Sequence, residues 1–245
     1  MYDQFTRLSE DAVTNILDTL ITVIVGTVTA VTRTVTEGVS LVQDFFFIKI
    51  AGLSFIVLGA RQTGKTTLIE WLRGNLDALE DYIPEPTAAG GELVPDFNTL
   101  VDDTYMKVKP TRDVGGEYAM WETDWAELFR TARPMGILFM MDHTDVHLQK
   151  DALNFVMQMI DDEPDAARKL RAFYIMVNKS DLWKDEMTLD EIMQNYRNEQ
   201  RRLRAQAERL GFKWAIHEGS LKTGTGVRHM LKQFFNILRP RTKVL

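Results

Sequence analysis

The chain has 245 residues, of which 45% are hydrophobic and 26% are charged, and it contains no cysteine. This composition is typical of a globular protein and excludes disordered and collagen-like chains. The missing cysteine excludes disulfide scaffolds, thiol nucleophiles and cysteine-ligated metal sites. The net charge of −6 comes without a concentrated basic face, whereas phosphate contacts need clustered Lys and Arg side chains. We therefore expect no nucleic acid among the partners.

Residues 1–50 are predicted to form an amphipathic helical extension. Small or apolar residues recur there at steps of three and four positions, the spacing of a helix with one apolar seam. These residues are Leu17, Ile21, Ile24, Val28, Val31, Val35, Gly38 and Val42. The seam can pack on the chain itself, on another helix or a second copy, or on a membrane. The uncharged stretch 19–32 is shorter than the roughly 20 apolar residues that a spanning helix needs.

Residues 51–239 alternate short apolar runs with longer amphipathic stretches, which predicts a sheet covered by helices. Strands are predicted at 54–58, 97–101, 105–109, 137–141, 172–177 and 213–217. Helices are predicted at 65–76, 121–132, 147–161, 188–210 and 226–238. This order predicts an α/β fold with a doubly wound, six-stranded, mostly parallel sheet and one antiparallel edge strand, in which ligands bind beyond the carboxyl ends of the strands. Residues 240–245 form a basic tail.

A phosphate-binding loop is predicted directly after the first strand. The chain there reads Gly59-Ala60-Arg61-Gln62-Thr63-Gly64-Lys65-Thr66, a GxxxxGK[ST] motif between a strand and a helix. Backbone N–H groups of such a loop converge on phosphate oxygens. We expect Lys65 to reach the β- and γ-phosphates and the Thr66 hydroxyl to ligate Mg²⁺. The motif predicts a P-loop NTPase fold with phosphate contacts from Gly59, Gly64, Lys65, Thr66 and Thr67.

A motif after the fifth strand indicates which nucleotide base the chain binds. The chain there reads Asn178-Lys179-Ser180-Asp181, which has the NKxD form. The Asp181 carboxylate can accept from both the N1–H and the 2-amino group of guanine, and adenine offers no such pair of donors. We expect Asn178 to join loops and touch the base, and the aliphatic part of Lys179 to lie over its face. These residues favour GTP and GDP over ATP.

Two further segments follow strands in the expected order. In Asp113-Val114-Gly115-Gly116, of the form DxxG, we expect Asp113 to hold Mg²⁺ through water and the Gly116 N–H to detect the γ-phosphate. After the last strand, residues 218–224 are expected to close over the base through Ser220, Leu221 and Lys222. The Leu221 N–H is the predicted donor to the guanine O6.

These four motifs, in this order, resemble those of the Ras-like small GTPases. Within that superfamily the chain is most similar to the Arf family and the related β subunit of the signal recognition particle receptor. This similarity rests on DVGG at 113–116, the aromatic and acidic run 118–129, the segment 130–133 and the stretch 176–181. The resemblance covers about residues 52–238.

The resemblance implies a molecular switch that binds Mg²⁺ and hydrolyses GTP slowly, with switch regions near 77–100 and 113–130. It implies protein effectors or a second copy as partners, engaged through the switches and the N-terminal helix. No basic leader precedes an apolar run at the start of the chain, so we expect a cytoplasmic protein. The receptor subunit carries an N-terminal anchor, which keeps membrane association through residues 1–50 as an alternative.

Two candidate catalytic residues depart from the family pattern and join Lys65 in that role. The family has Gln after DVGG, but this chain has Glu117. A carboxylate can accept a proton from the attacking water but cannot donate to the γ-phosphate, which predicts slow intrinsic hydrolysis. Arg61 replaces a small or acidic residue in the phosphate loop. It can act on the γ-phosphate as an arginine finger in cis, or it can point to solvent.

The family also needs a threonine in the first switch to close on Mg²⁺ and the γ-phosphate. Thr87 follows Pro86, which resembles the Pro-Thr of the Arf branch, so the predicted metal-binding residues are Thr66, Asp113 and Thr87. Thr99 and Thr104 are alternatives to Thr87. The stretch 142–147 contains His and Asp residues that could hold a metal, but its position before a helix favours Asp145 as the helix cap.

A second function remains open alongside the switch. A hydrolysis-deficient scaffold would keep GTP or GDP bound and would assemble partners or membranes through the N-terminal helix. The scaffold and the switch share every nucleotide-binding residue, and they differ only in what Glu117 and the first-switch threonine do.

Overall fold

The computed structural model describes residues 52–74, 92–101, 104–110 and 112–239. The predictions for the N-terminal extension, for Thr87 and for the basic tail lie outside these residues. The strands of the described part are β1 (Leu53–Leu58), β2 (Glu92–Leu93), β3 (Phe97–Val101), β4 (Thr104–Lys109), β5 (Arg112–Asp113), β6 (Gly136–Met141), β7 (Ala172–Val177) and β8 (Lys213–Glu218).

The helices lie between these strands, and the longer ones have one apolar face. They are α1 (Lys65–Arg73), α2 (Ala126–Ala132), α3 (Val146–Asp162), α4 (Pro164–Ala167), α5 (Ser180–Trp183), α6 (Leu189–Gln194), α7 (Arg197–Leu210) and α8 (Val227–Leu238). A 3₁₀ turn (Tyr118–Met120) and a π-helical turn (Trp121–Trp125) precede α2. None of the helices in the described ranges is long and apolar enough to cross a bilayer.

Six strands form the main sheet in the order β3-β4-β1-β6-β7-β8, and only the β3–β4 pair is antiparallel. The prediction of a six-stranded, mostly parallel sheet with one antiparallel edge strand is therefore confirmed. Met141, Val177 and Glu218 are in register across β6, β7 and β8. The residues that follow these strands consequently lie side by side at one edge of the sheet. The predicted site needs this arrangement, because its residues come from the loops after several strands.

Alternating side chains of the central strands build two cores. Ile56 and Leu58 of β1 contribute to one hydrophobic cluster, whereas Phe55 and Val57 contribute to the other. This period of two is what a strand buried on both faces requires. One cluster holds side chains from α2, α3 and α7, and the other holds side chains from α1 and α8. Both faces of the sheet are thus covered by helices.

The hairpin at the sheet edge continues into the small β2–β5 ladder without a change of register. Phe97 pairs with Val108, and Leu93 pairs with Arg112, so Pro95 and Pro110 fall opposite each other. Because proline has no backbone N–H, two facing prolines cannot complete the ladder, which explains its division into two pieces. The β5 half carries Asp113 to the edge where the loop after β1 leads into α1.

Two predicted helices differ from those in the structure. The stretch 188–210 is not one helix, because Tyr196 has a non-helical backbone (φ −111°, ψ 23°) and a fully buried ring that separates α6 from α7. The stretch 121–132 begins as a π turn and becomes α-helical only at Ala126. The predicted cap is confirmed: the Asp145 side chain accepts from the Leu148 N–H at the start of α3.

Candidate functional site

The loop after β1 surrounds a buried cation. Lys65 is only 6% exposed, and its Nζ donates to the Ala60 carbonyl at 3.0 Å. The Thr63 hydroxyl donates to the same carbonyl at 2.9 Å. Burial lowers the pKa of Lys65 to about 8, against the opposing effects of Asp113 and Glu117. Within the described residues this buried ammonium group has the Ala60 carbonyl as its hydrogen-bond acceptor, and burial of a charge with so few partners is costly.

Two predicted metal-binding residues are in direct contact. The Thr66 hydroxyl donates to Asp113 Oδ2 at 2.6 Å, and it joins the first turn of α1 to the end of β5. Hydroxyl and carboxylate oxygens are hard ligands of the kind that Mg²⁺ prefers, and Mg²⁺ completes its octahedral shell with water and phosphate. The donor set therefore fits Mg²⁺. No cluster of three His, Cys, Asp or Glu side chains that could hold a metal occurs within the described residues.

The register of β4 places both alternatives to Thr87 far from the loop after β1. Val108 of β4 is level with Leu53, the first residue of β1, and the hairpin runs back from there. Thr99 pairs with Met106, so both Thr99 and Thr104 lie below the start of β1, on the order of 20 Å or more from the loop that follows Leu58. Neither alternative can reach a phosphate in that loop. Thr87 lies outside the described residues and stays a prediction.

Asn178 connects three loops at the carboxyl edge of the sheet. Its Nδ2 donates to the Thr63 carbonyl at 3.0 Å, and its Oδ1 accepts from the Leu221 N–H at 3.1 Å. The contact is so close that a Cβ on Gly64 would stand 2.5 Å from Asn178 Nδ2. The Leu221 N–H, expected to donate to the guanine O6, is thus bonded to Asn178 in this structure.

Asp181, the predicted guanine acceptor, is held by Ser220 in the loop after β8. The Ser220 hydroxyl donates to Asp181 Oδ1 at 2.5 Å and accepts from the Thr223 N–H at 3.2 Å. Ser220 is fully buried, whereas Asp181 and Lys222 are exposed. The structure therefore anchors one oxygen of an exposed carboxylate, which fixes the direction in which that carboxylate can accept hydrogen bonds.

Lys179 is held by a buried carboxylate that the sequence reasoning missed. Its Nζ lies 2.5 Å from Asp142 Oδ2, and its own backbone has a positive φ of 61°. Asp142 is 2% exposed and also accepts from Thr144 (N–H and hydroxyl) and from Gln149 Nε2. Burial raises the pKa of this carboxyl, but the hydrogen bonds from Lys179 and Thr144 outweigh it and leave the pKa below its ordinary value.

The two departures from the family pattern face each other. Arg61 Nη1 lies 3.8 Å from Glu117 Oε1, and both side chains are about half exposed, at 58% and 49%. An exposed ion pair at this distance contributes roughly 0–1 kcal/mol, so it does not hold the fold together. Its significance is positional: the two candidate catalytic side chains lie beside each other at the predicted phosphate loop.

Three buried indole rings donate to the backbone of the predicted motifs. Trp125 Nε1 donates to the Gly115 carbonyl at 2.9 Å, and Trp121 Nε1 donates to the Gly116 carbonyl at 3.2 Å. Trp183 Nε1 donates to the Asn178 carbonyl at 2.9 Å. The sequence reasoning assigned no role to these side chains. The spacing of tryptophans just after DVGG and just after NKSD is the signal that could have revealed them.

No protein-family model matches the chain, and no curated protein matches it. The resemblance to the small GTPases therefore rests on the sequence motifs alone.

Proposed function

We propose that the protein is a guanine-nucleotide switch of the small-GTPase type, which binds Mg²⁺ and hydrolyses GTP slowly to GDP and phosphate. The observation that carries the proposal is the Asn178 side chain, which bonds at once to the phosphate loop at Thr63 and to the last loop at Leu221. This contact joins the loop after β1 to the NKSD segment and the loop after β8, which supports a single nucleotide site at this edge of the sheet.

The residues of that site divide by the part of the nucleotide they would bind. Lys65, with the backbone of Gly59, Gly64, Thr66 and Thr67, would bind the phosphates. Asp181 would accept from guanine, with Lys179 and Lys222 beside the base. Thr66 and Asp113, together with Thr87, would hold Mg²⁺, which supplies positive charge to the phosphate oxygens when bound. Gly116 would couple the γ-phosphate to the second switch, near 113–130, while the first switch lies near 77–100.

The expected partners are protein effectors or a second copy, bound through the switches and the N-terminal extension, in the cytoplasm or on a membrane surface. One observation favours a second function. Because Glu117 is paired with Arg61, both candidate catalytic side chains are engaged with each other in this structure. A protein in which that pair persists would remain loaded with GTP and serve as a scaffold that assembles partners or membranes.

Asp181→Asn tests the choice of base. The amide replaces an acceptor by a donor at one position, so we expect the variant to lose affinity for GTP and to prefer XTP, whose base has a carbonyl in place of the 2-amino group. Calorimetric titration of GTP, XTP and ATP into parent and variant measures this. Binding of ATP by the parent as tight as that of GTP would overturn the guanine assignment.

Glu117→Gln tests the origin of slow hydrolysis. The amide can donate to the γ-phosphate and no longer pairs with Arg61, so we expect single-turnover hydrolysis to rise about tenfold, or roughly 1.4 kcal/mol of barrier. Glu122→Gln, an exposed neighbour in the same segment, is the matched control and should leave the rate unchanged. Arg61→Ala is measured beside them, because a fall in rate would assign it the role of an arginine finger. Tight GTP binding without hydrolysis in all four proteins would favour the scaffold.

A further inference from the structure

Trp121 and Trp125 form a stacked, buried pair immediately beyond the DVGG segment. The rings are 5.3 Å apart with an angle of 26° between their planes, and both are at most 1% exposed. They stand at the two ends of the π-helical turn, and Phe155 of α3 packs against both. The turn places two rings four positions apart on the same side of the chain, where they stack. Such turns are frequent at functional sites.

The pair donates two hydrogen bonds to consecutive backbone carbonyls. Trp125 Nε1 bonds to Gly115 at 2.9 Å, and Trp121 Nε1 bonds to Gly116 at 3.2 Å. Packing alone does not require these donors to meet a glycine carbonyl, since a phenylalanine would fill much the same volume. Each buried N–H needs an acceptor, and here both acceptors belong to the segment that would detect the third phosphate.

Because the peptide bond is planar, a hydrogen bond that fixes a carbonyl also fixes the direction of the N–H group in the same peptide unit. The peptide bonds of the described residues are trans, and in a trans peptide the C=O and N–H of one unit point in opposite directions. The Gly115 carbonyl shares its unit with the Gly116 N–H. Trp125 therefore fixes the Gly116 N–H so that it points away from the indole. Trp121 fixes the Glu117 N–H in the same way, at the base of a candidate catalytic side chain.

Gly116 also lies directly against the phosphate loop. A Cβ on this residue would stand 2.4 Å from the Ala60 carbonyl carbon and from the Arg61 backbone nitrogen. The residue whose amide is aimed by Trp125 is consequently in contact with the loop that would hold the phosphates.

We propose that Trp125, supported by Trp121, is a positioning residue that aims the Gly116 amide at the third phosphate and thereby sets the preference for GTP over GDP. This inference rests on the proposed function. Trp183 supplies the matched comparison, because its indole holds the Asn178 carbonyl at the base end of the site. Loss of the Trp183 donor should disturb GTP and GDP alike, since both carry the same base.

The experiment titrates GDP and a non-hydrolysable GTP analogue into the full-length parent, Trp125→Phe and Trp183→Phe by calorimetry. We expect Trp125→Phe to weaken the analogue about fivefold to tenfold more than GDP, which is less than the loss of a whole hydrogen bond to a charged group because the Gly116 N–H is still present but no longer held in direction. Trp183→Phe should weaken both nucleotides by similar factors. An unchanged ratio of the two affinities in Trp125→Phe overturns the inference. Failure of the parent to bind either nucleotide overturns the proposed function and the inference together.

A spectroscopic measurement on the parent protein covers the case in which Trp125→Phe fails to fold. The chain has five tryptophans, and each gives one indole N–H signal in a ¹⁵N-labelled sample. Trp71→Phe, Trp183→Phe and Trp214→Phe assign three of these signals, so the remaining two belong to Trp121 and Trp125. We expect these two to shift between the GDP and analogue complexes while those of Trp71 and Trp214 stay in place. Identical signals from the pair in both complexes would contradict the proposal.

Discussion

Replacing Asp142 with alanine is expected to lower the free energy of unfolding by about 3 kcal/mol at neutral pH. The carboxylate is 2% exposed and receives hydrogen bonds from Lys179, Thr144 and Gln149. Its removal leaves the Lys179 ammonium without its acceptor and leaves Gln149 Nε2 with the Thr144 carbonyl alone, and breaking a buried pair by deleting one partner costs roughly 3–5 kcal/mol. Because Lys179 is only partly buried, we expect the lower end of that range.

The pH dependence of this loss follows from the sign of the pKa shift. The pKa of Asp142 lies below its ordinary value of 3.8 in the folded protein, so the carboxylate stabilises the fold above that value and this contribution is lost as the pH falls through the folded pKa. Urea denaturation of parent and variant should therefore give a difference that is full at pH 7 and shrinks below about pH 4. Asp185→Ala, an exposed carboxylate, is the control. A loss at pH 7 no larger than that of the control would contradict the role given to Asp142.

The sequence predicts most of the sheet because its strands are continuous apolar runs. Residues 137–141 and 172–177 contain no charged side chain, and such runs between amphipathic stretches identify buried parallel strands. The structure extends the first of these by one residue and keeps the bounds of the second. The phosphate loop is equally readable, since its glycines, Lys65 and Thr66 are adjacent in the chain.

Contacts between distant segments could not be predicted in the same way. The Lys179–Asp142 pair joins the ends of two strands 37 positions apart, and the indole of Trp125 meets a carbonyl ten positions earlier. Both depend on the direction in which a side chain leaves the backbone, which local patterns do not determine. The break between α6 and α7 is similar: Tyr196 satisfies the helical spacing of 188–210, but burial of its ring takes the backbone out of the helix.

Replacement of the Asn178 side chain is expected to weaken nucleotide binding through the two loops that it joins. Replacement with alanine removes the donor to the Thr63 carbonyl and the acceptor of the Leu221 N–H, so two buried backbone groups lose their partner. Each such loss costs about 1–3 kcal/mol. We expect the free energy of unfolding to fall by roughly 2 kcal/mol and the affinities for GTP and GDP to fall at least about tenfold and by equal factors, because the lost contacts position the loops rather than the third phosphate.

Asn178→Asp separates the two contacts. The aspartate keeps an acceptor for the Leu221 N–H but places a carboxylate oxygen against the Thr63 carbonyl, where the amide donated at 3.0 Å. Two acceptors in contact repel each other, and a buried charge adds its own desolvation cost. We therefore expect this variant to bind nucleotide at least as weakly as Asn178→Ala. Asn195→Ala, at an exposed position at the end of α6, should match the parent in thermal unfolding and calorimetry. Parent-like affinity in Asn178→Asp would show that the bond to Thr63 does not hold the phosphate loop in place.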